Sequence, residues 1–455
     1  MPITITNNTK ALVYFFLINF AISVFHIDSW NNANTTSRVL PIVSYFENGT
    51  FQIDKYHQLT PDKAKIGRHY YSDKAPLPTL MIIPVFGLLK SIGIITSNDG
   101  SFYGESVYIL GALICGVIPF VLILCLTFIR LRRNNLFSLA LLSTLPFYAS
   151  FIFIYAGTFY NHIISAFFLL LGYIFVKDKK YILAGVFSGL AFLCEYLIAI
   201  FIVIWILQIL LNERKLKPSF LFGIGVIPAI IFILFYNYHF TGSAFTMLYK
   251  YHTFSEMHVN YGFNAFSLKA LWGLVFGSYR GMFLYTPILF LILYYSLRHF
   301  YLKTFRNVVS IILSNYVLLP SILVILTLSF YFGWWGGWTF GPRYILFVTV
   351  LLLFEGLFFV SRLKFSNLAF WSLIFVGLIL TFSAKITVLY SIPSEIQFPL
   401  TDLCLIALKS FEFNNCNILT YCFGINPVIA NIIWMIISGI LLYLLSNLQD
   451  ASEVN

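Results

Sequence analysis

The chain has 455 residues, of which 60% are apolar, 19% aromatic and only 10% charged, with a mean hydropathy of +0.87. Ordinary globular chains are about 25% charged; this one has too little charge to cover a soluble surface, which excludes a water-soluble enzyme, a disordered chain and a small disulfide scaffold. The net charge of +11 does not indicate nucleic acid, because the cations sit in short runs between apolar stretches and no basic soluble domain carries them.

A hydrocarbon core is crossed by about 20 apolar residues. Segments of roughly that kind fall at 11–26, 105–129, 135–154, 159–176, 181–196, 198–212, 219–239, 281–297, 307–330, 344–361, 368–389 and 426–446. They predict a single all-α integral membrane domain over 1–455 with about twelve transmembrane helices. Lys10 and the lack of a cleavage site mark the first span as an anchor rather than a signal peptide. Basic runs follow the spans at Arg130, Arg132 and Arg133; at Lys177, Lys179 and Lys180; at Arg214, Lys215 and Lys217; at Arg298, Lys303 and Arg306; and at Arg362 and Lys364. The positive-inside rule puts these five loops and both termini in the cytoplasm of a multi-pass cell-membrane protein. Segments 27–104, 240–280, 331–343 and 390–425 then face outward, and seven of the eight histidines go with the outer side, His299 alone lying inside.

Within the first outer loop, 27–104, the pattern of 37–47 predicts an amphipathic helix on the membrane surface, with Pro41 in its first turn. Pro78 to about Ile95 reads as a short element in the outer interface, because counting it as a crossing would turn Arg130–Arg133 outward. Six of the seventeen acids lie in this loop, five of them ahead of Pro76: Asp28, Glu47, Asp54, Asp62 and Asp73. Close to them runs Gly67-Arg68-His69-Tyr70-Tyr71-Ser72-Asp73-Lys74-Ala75-Pro76. Loops this long in compact architectures are commonly functional.

Two further polar clusters follow. The first, in 240–280, carries Tyr249-Lys250-Tyr251-His252, then Glu256 and His258, and ends at Arg280-Gly281. The second is Trp334-Trp335-Gly336-Gly337-Trp338-Thr339-Phe340-Gly341-Pro342-Arg343-Tyr344. Glycines admit close backbone approach to a ligand, and arginine offers a planar fork for phosphate. Glu195 and Glu355 stand inside apolar spans, where a carboxylate is costly; Glu195, near an outer helix end, is placed to join the site. Cys404 and Cys416 could form a disulfide in an oxidising compartment. No spacing suggests a zinc site; no cofactor is required, and the loop carboxylates leave a divalent metal open although nothing fixes one. Carboxylates for proton transfer, cations for an anion and aromatic platforms therefore gather on one face. An enzyme using a lipid-phosphate donor needs that combination. The candidate substrate-binding residues are His69, Tyr71, His162, Glu256, His258 and Trp338; those for the donor phosphate are Lys74, Arg343 and Arg280.

At these residues the chain resembles the polytopic GT-C glycosyltransferases, in the branch that holds protein O-mannosyltransferases and lipid A aminoarabinose transferases. The run ending Ser72-Asp73-Lys74-Ala75-Pro76 is similar to the family's aromatic–Asp–Lys–Pro–Pro stretch. Tyr236-Asn237 with Gly242, Arg280-Gly281 and Gly337 through Tyr344 resemble a bacterial subgroup of these enzymes. The resemblance implies a helical bundle with first-loop helices over a cavity, and transfer of a sugar, with inversion, from a polyprenyl-phosphate donor. It also implies contact of Lys74 with the lipid phosphate. The acceptor would be a glycan, a lipid or a protein. One departure stands out: where the family carries an Asp-Glu pair before an arginine, this chain reads Asn34-Thr35-Thr36-Ser37-Arg38. Asp62, then Asp54, are the expected replacement bases, with Asp73 beside them. The competing readings are a transporter or flippase of lipid-linked sugars and a catalytically inactive scaffold of the same fold.

Overall fold

The computed structural model describes residues 5–28, 32–95, 104–131, 138–301, 303–363 and 367–447; Arg132, Arg133 and Lys364 of the expected basic loops lie outside them. Among the described residues the fold is helical, with one two-stranded sheet. Six helices are long and apolar enough to cross a membrane: Gly104–Arg130, Tyr196–Glu213, Leu216–Thr241, Arg343–Val360, Asn367–Ile386 and Pro427–Ser446. A seventh span arises if Arg306–Ser314 and Leu318–Leu328, bent by 81°, are one. The other five expected segments carry shorter apolar helices: Thr9–Val24, Leu139–Tyr148, His162–Lys177, Tyr181–Cys194 and Ile288–Tyr301. The chain is thus a multi-pass, membrane-embedded α-helical protein. Leu216–Thr241 carries an exposed apolar stripe of Ile227, Ile231 and Phe235. A helix apolar on every side with such an exposed stripe requires a non-aqueous solvent.

Local chemistry explains the breaks. The 81° bend sits at Asn315, whose Oδ1 accepts from the N–H groups of Val317 and Leu318 at 2.8 and 2.9 Å, while Gln208 donates to the carbonyls of Leu313 and Asn315. Side chains that take over freed backbone groups are a standard cause of a sharp kink. The helix Leu216–Thr241 stops at Gly242 (φ 74°), whose N–H donates to the Tyr238 carbonyl.

Two first-loop helices, Ala33–Asn48 and Pro76–Ser91, pack on each other and on the start of Gly104–Arg130. The expected surface helix at 37–47 is corrected here. It starts earlier, capped by Asn32, so Pro41 lies inside it, and residues 35–44 are all buried. Its buried Ser37 and Arg38 face protein partners and not water. Pro76–Ser91 is a helix of 16 residues with Pro84 inside it. Between them Ala64–Ile66 pairs antiparallel with His69–Tyr71, Ala64 opposite Tyr71, a hairpin the sequence reading did not anticipate. Gly67 (φ 61°) turns it. Cys404 and Cys416 are both buried, and among the described residues no disulfide joins them.

Tyr181–Cys194 packs closely against Leu216–Thr241. A Cβ on Gly185 would come within 2.1 Å of the Phe222 carbonyl oxygen, and one on Gly225 within 2.2 Å of the Ile182 oxygen. Small residues allow this backbone approach where no hydrophobic force drives helices together. Gly185→Val should therefore force the two helices apart and lower stability by about 1–3 kcal/mol. Thermal unfolding of purified protein in detergent checks this; an unchanged midpoint would contradict the packing.

Candidate functional site

Ala75 is extended (φ −55°, ψ 134°) because Pro76 follows it, and Pro76 opens the next helix where no N–H is needed. Asp73 and Lys74 thus sit on a short extended stretch between the hairpin and that helix. Buried Asp73 accepts a hydrogen bond from Ser37 Oγ at 3.0 Å. Lys74 Nζ lies 2.9 Å from Asp73 Oδ2 and 2.7 Å from Asp62 Oδ2, and His252 Nε2 lies 3.4 Å from Asp73. Burial alone disfavours the charged form of each group. At Asp73 the charge of Lys74, helped by His252, outweighs burial and holds the carboxyl below the ordinary carboxylate range. At Lys74 the charges of Asp62 and Asp73 outweigh burial and raise the ammonium above the ordinary lysine range.

His252 belongs to the second loop, which is stitched onto the first. Ala64 and His252 form a bridge, Thr253 N–H donates to the Lys63 carbonyl at 3.1 Å, and Thr253 Oγ1 donates to the Pro61 carbonyl at 2.7 Å. The two loops thereby close over one cavity of about 490 Å³. Three cations, Arg38, Lys74 and Arg343, and three carboxylates, Asp62, Asp73 and Glu195, line it, with aromatic residues including Tyr249, Tyr331 and Trp335.

Arg343 stands at the start of its span. Gly336 (φ 82°) lies against it, so that a Cβ there would meet the arginine at 3.2 Å. The guanidinium lies 5.1 Å from the Tyr160 ring centre and 5.3 Å from that of Tyr344. It is buried, its Nε has no hydrogen-bond partner, and among the described residues it has no carboxylate partner. A buried cation without a counter-ion is costly, and an entering anion relieves that cost. Arg38 is likewise held by neutral groups: it donates to Asn161 Oδ1 at 2.8 Å and to the Ala75 carbonyl at 3.4 Å.

Lys74 has a second neighbourhood. An apolar groove of about 270 Å³ runs between Pro41 and Leu80 of the first-loop helices and Phe232, Phe235, Tyr236 and Phe240 of Leu216–Thr241, and Lys74 lines this groove as well as the cavity.

Of the expected site residues, Asp62, Asp73, Lys74, His162 and Arg343 come together on the cavity wall. Tyr71 lines the groove. Several do not join them. Asp54 and His69 pair with each other at 2.6 Å on a partly exposed surface. Arg280 is buried off the cavity wall and donates to the carbonyls of Tyr279 at 2.8 Å and of Gly337 and Ile392 at 3.4 and 3.5 Å, although its Nε is also unpaired; it braces the glycine segment. Glu256 accepts from Ser255, His258 bonds the His252 carbonyl, and Trp338 is exposed, all outside the cavity wall. Glu195 does join the cavity, whereas Glu355 lies in another pocket and accepts from Tyr173. Arg38, Asn161 and His252 carry site contacts that the sequence reading did not assign. Among the described residues no group of three or more His, Cys, Asp or Glu is arranged to hold a metal ion. A comparison with protein-family models finds no match to this chain, and a comparison with curated proteins finds none.

The two carboxylate pairs should differ sharply in weight. Asp73→Ala leaves Lys74 and His252 buried beside a gap and should cost about 3–5 kcal/mol. His69→Ala breaks only the exposed pair with Asp54 and should cost under about 1 kcal/mol. Unfolding of both variants in detergent measures the difference; equal costs would contradict it. The pH dependence follows from the shift directions. The lowered Asp73 group contributes fully above the free carboxylate range near pH 4, and that contribution is lost as pH falls below it; the raised Lys74 group contributes fully below about pH 10 and is lost only above. The contributions of Asp73 and Lys74 should stay flat between about pH 5 and 9, and a transition inside that window assigned to either residue would contradict the pairing.

Proposed function

We propose that this chain is an inverting glycosyltransferase that takes a sugar from a polyprenyl-phosphate donor and passes it to an acceptor at the outer face of the membrane. The carrying observation is the position of Lys74, at the junction of an apolar groove and a charged cavity. A prenyl-phosphate sugar has the same order of parts: an apolar chain, an anion, then a polar ring. In this reading the chain lies in the groove, the phosphate meets Lys74 and Arg343, and the sugar sits among Tyr249, Tyr331 and Trp335. Negative charge grows on the phosphate as the glycosidic bond breaks, and preorganised cations in a water-poor site stabilise it strongly. The proposed topology has twelve crossings, the five shorter apolar helices included, with both termini in the cytoplasm and the cavity outside. The resemblance of Asp73-Lys74-Ala75-Pro76 and Gly341-Pro342-Arg343-Tyr344 to GT-C enzymes supports the same reading.

The test is sugar release from a prenyl-phosphate sugar by purified protein in detergent, where transport across a sealed membrane plays no part. Lys74→Gln and Arg343→Gln should each lower turnover by about 10²–10³-fold, with gel filtration confirming that the protein remains folded. Full turnover by both variants would overturn the phosphate assignment, and no turnover by the unaltered chain would overturn the transferase reading.

A further inference from the structure

We infer that His162 is the general base of the transfer and that Glu195 is its positioning residue, an inference that rests on the transferase reading above. The chain leaves one helix at Cys194 and enters the next at Tyr196, so Glu195 falls on an extended residue between them (φ −148°, ψ 109°). From there its Oε2 accepts from Asn161 Nδ2 at 2.7 Å and lies 3.1 Å from His162 Nδ1. A carboxylate beside Nδ1 fixes the tautomer with the proton on that nitrogen and leaves the lone pair on Nε2. His162 Nε2 is buried, has no hydrogen-bond partner and belongs to a side chain on the cavity wall. A buried polar atom left unpaired costs about 1–3 kcal/mol, and an acceptor hydroxyl donating to Nε2 removes that cost.

The support behind the imidazole is itself held. Asn161 also donates to the Cys194 carbonyl at 2.7 Å and accepts from Arg38 at 2.8 Å. Carboxylate and imidazole stand in the order used wherever a histidine removes a hydroxyl proton with an acid behind it, and the His162 side chain borders the cavity. The loop carboxylates are differently employed: Asp73 has three partners, and Asp62 is paired with Lys74 at 2.7 Å. They hold the ammonium that meets the phosphate. This arrangement supplies a base to a chain whose first loop has Asn34-Thr35-Thr36 in place of acids.

The step balances without a further reactant. The acceptor oxygen bonds to the anomeric carbon, and the bond from that carbon to the phosphate oxygen breaks with its electron pair going to the phosphate. The prenyl phosphate departs with its added negative charge facing Lys74 and Arg343. The hydroxyl proton passes to His162 Nε2, the imidazolium is met by Glu195, and water in the cavity later takes the proton. The charged and titratable groups facing His162 are Glu195, Arg38, Arg343, Tyr155, Tyr160 and Tyr344.

The experiment follows release of prenyl phosphate by the full-length protein in detergent across pH. The unaltered chain should lose turnover toward acid pH along a single-proton limb. His162→Gln should lower kcat by about 10²–10⁴-fold, leave the donor KM within a few-fold, and abolish the limb. His162→Asn keeps a donor toward Glu195 and controls for folding; it should be equally inactive with donor binding retained. Glu195→Gln should keep KM, lower kcat and move the acid limb to lower pH, since the imidazolium loses its partner. Unaltered turnover in His162→Gln, or an acid limb that survives there and vanishes in Asp62→Asn, would overturn the role of His162. Absence of release by the unaltered chain with every prenyl-phosphate sugar would overturn the transferase reading and this inference with it.

Discussion

The ion cluster of Asp62, Lys74, Asp73 and His252 is the constraint on which the site depends. It joins four parts of the chain: the loop at 62, the strand-to-helix junction at 73–74, Ser37 of the Ala33–Asn48 helix and the second loop at 252. A buried ammonium needs carboxylates, and buried carboxylates need donors. None of these parts can move alone without stranding a charge. Closure of the two loops over one cavity is therefore an electrostatic consequence as much as a packing one. Lys74 emerges at the junction of the groove and the cavity because both of its neighbouring acids hold it there.

The same logic recurs below the cavity. Lys385 is buried within an apolar helix and donates to the carbonyls of Phe153 and Ala156 at 3.1 and 2.7 Å. Those carbonyls end a short helix, where a cation is favoured by the unsatisfied acceptors. The segment so fixed leads through Tyr160 and Asn161 into His162. Tyr390 extends the support by donating to Asp28, whose N–H donates to the Gly157 carbonyl at 2.8 Å. Polar residues placed singly in apolar stretches thus hold the chain reversal that presents Asn161 and His162 to the cavity.

Much of the architecture is legible in the sequence, because a membrane-embedded helix announces itself by composition. Each of the twelve expected segments holds an apolar helix, and only their lengths distinguish six or seven clear spans from shorter ones. The site is legible where residue type and position coincide, as at Asp73-Lys74 and at Arg343. It is illegible where the role depends on a partner far along the chain. Asp54 and Asp62 look alike in sequence, yet one meets His69 at the surface and the other meets Lys74 in the cavity. Arg280 reads as a phosphate ligand until three carbonyls are seen to occupy it. The Ala33–Asn48 helix reads as a surface element because Ser37 and Arg38 are polar, and no local pattern reveals that Asp73 and Asn161 satisfy them. Glu195 carried the most useful signal, since a carboxylate among apolar residues demands a reason.

The most direct measurement is photo-crosslinking of the purified protein with a prenyl phosphate bearing a photoreactive group on its chain, followed by mapping of the labelled peptides. Labelling concentrated in residues 232–240 and 76–80, competed by unlabelled prenyl phosphate and not by the corresponding prenyl alcohol, is the predicted result. Labelling spread over the lipid-facing helices, or competed equally by the alcohol, would contradict a groove that ends on Lys74 and reads the phosphate.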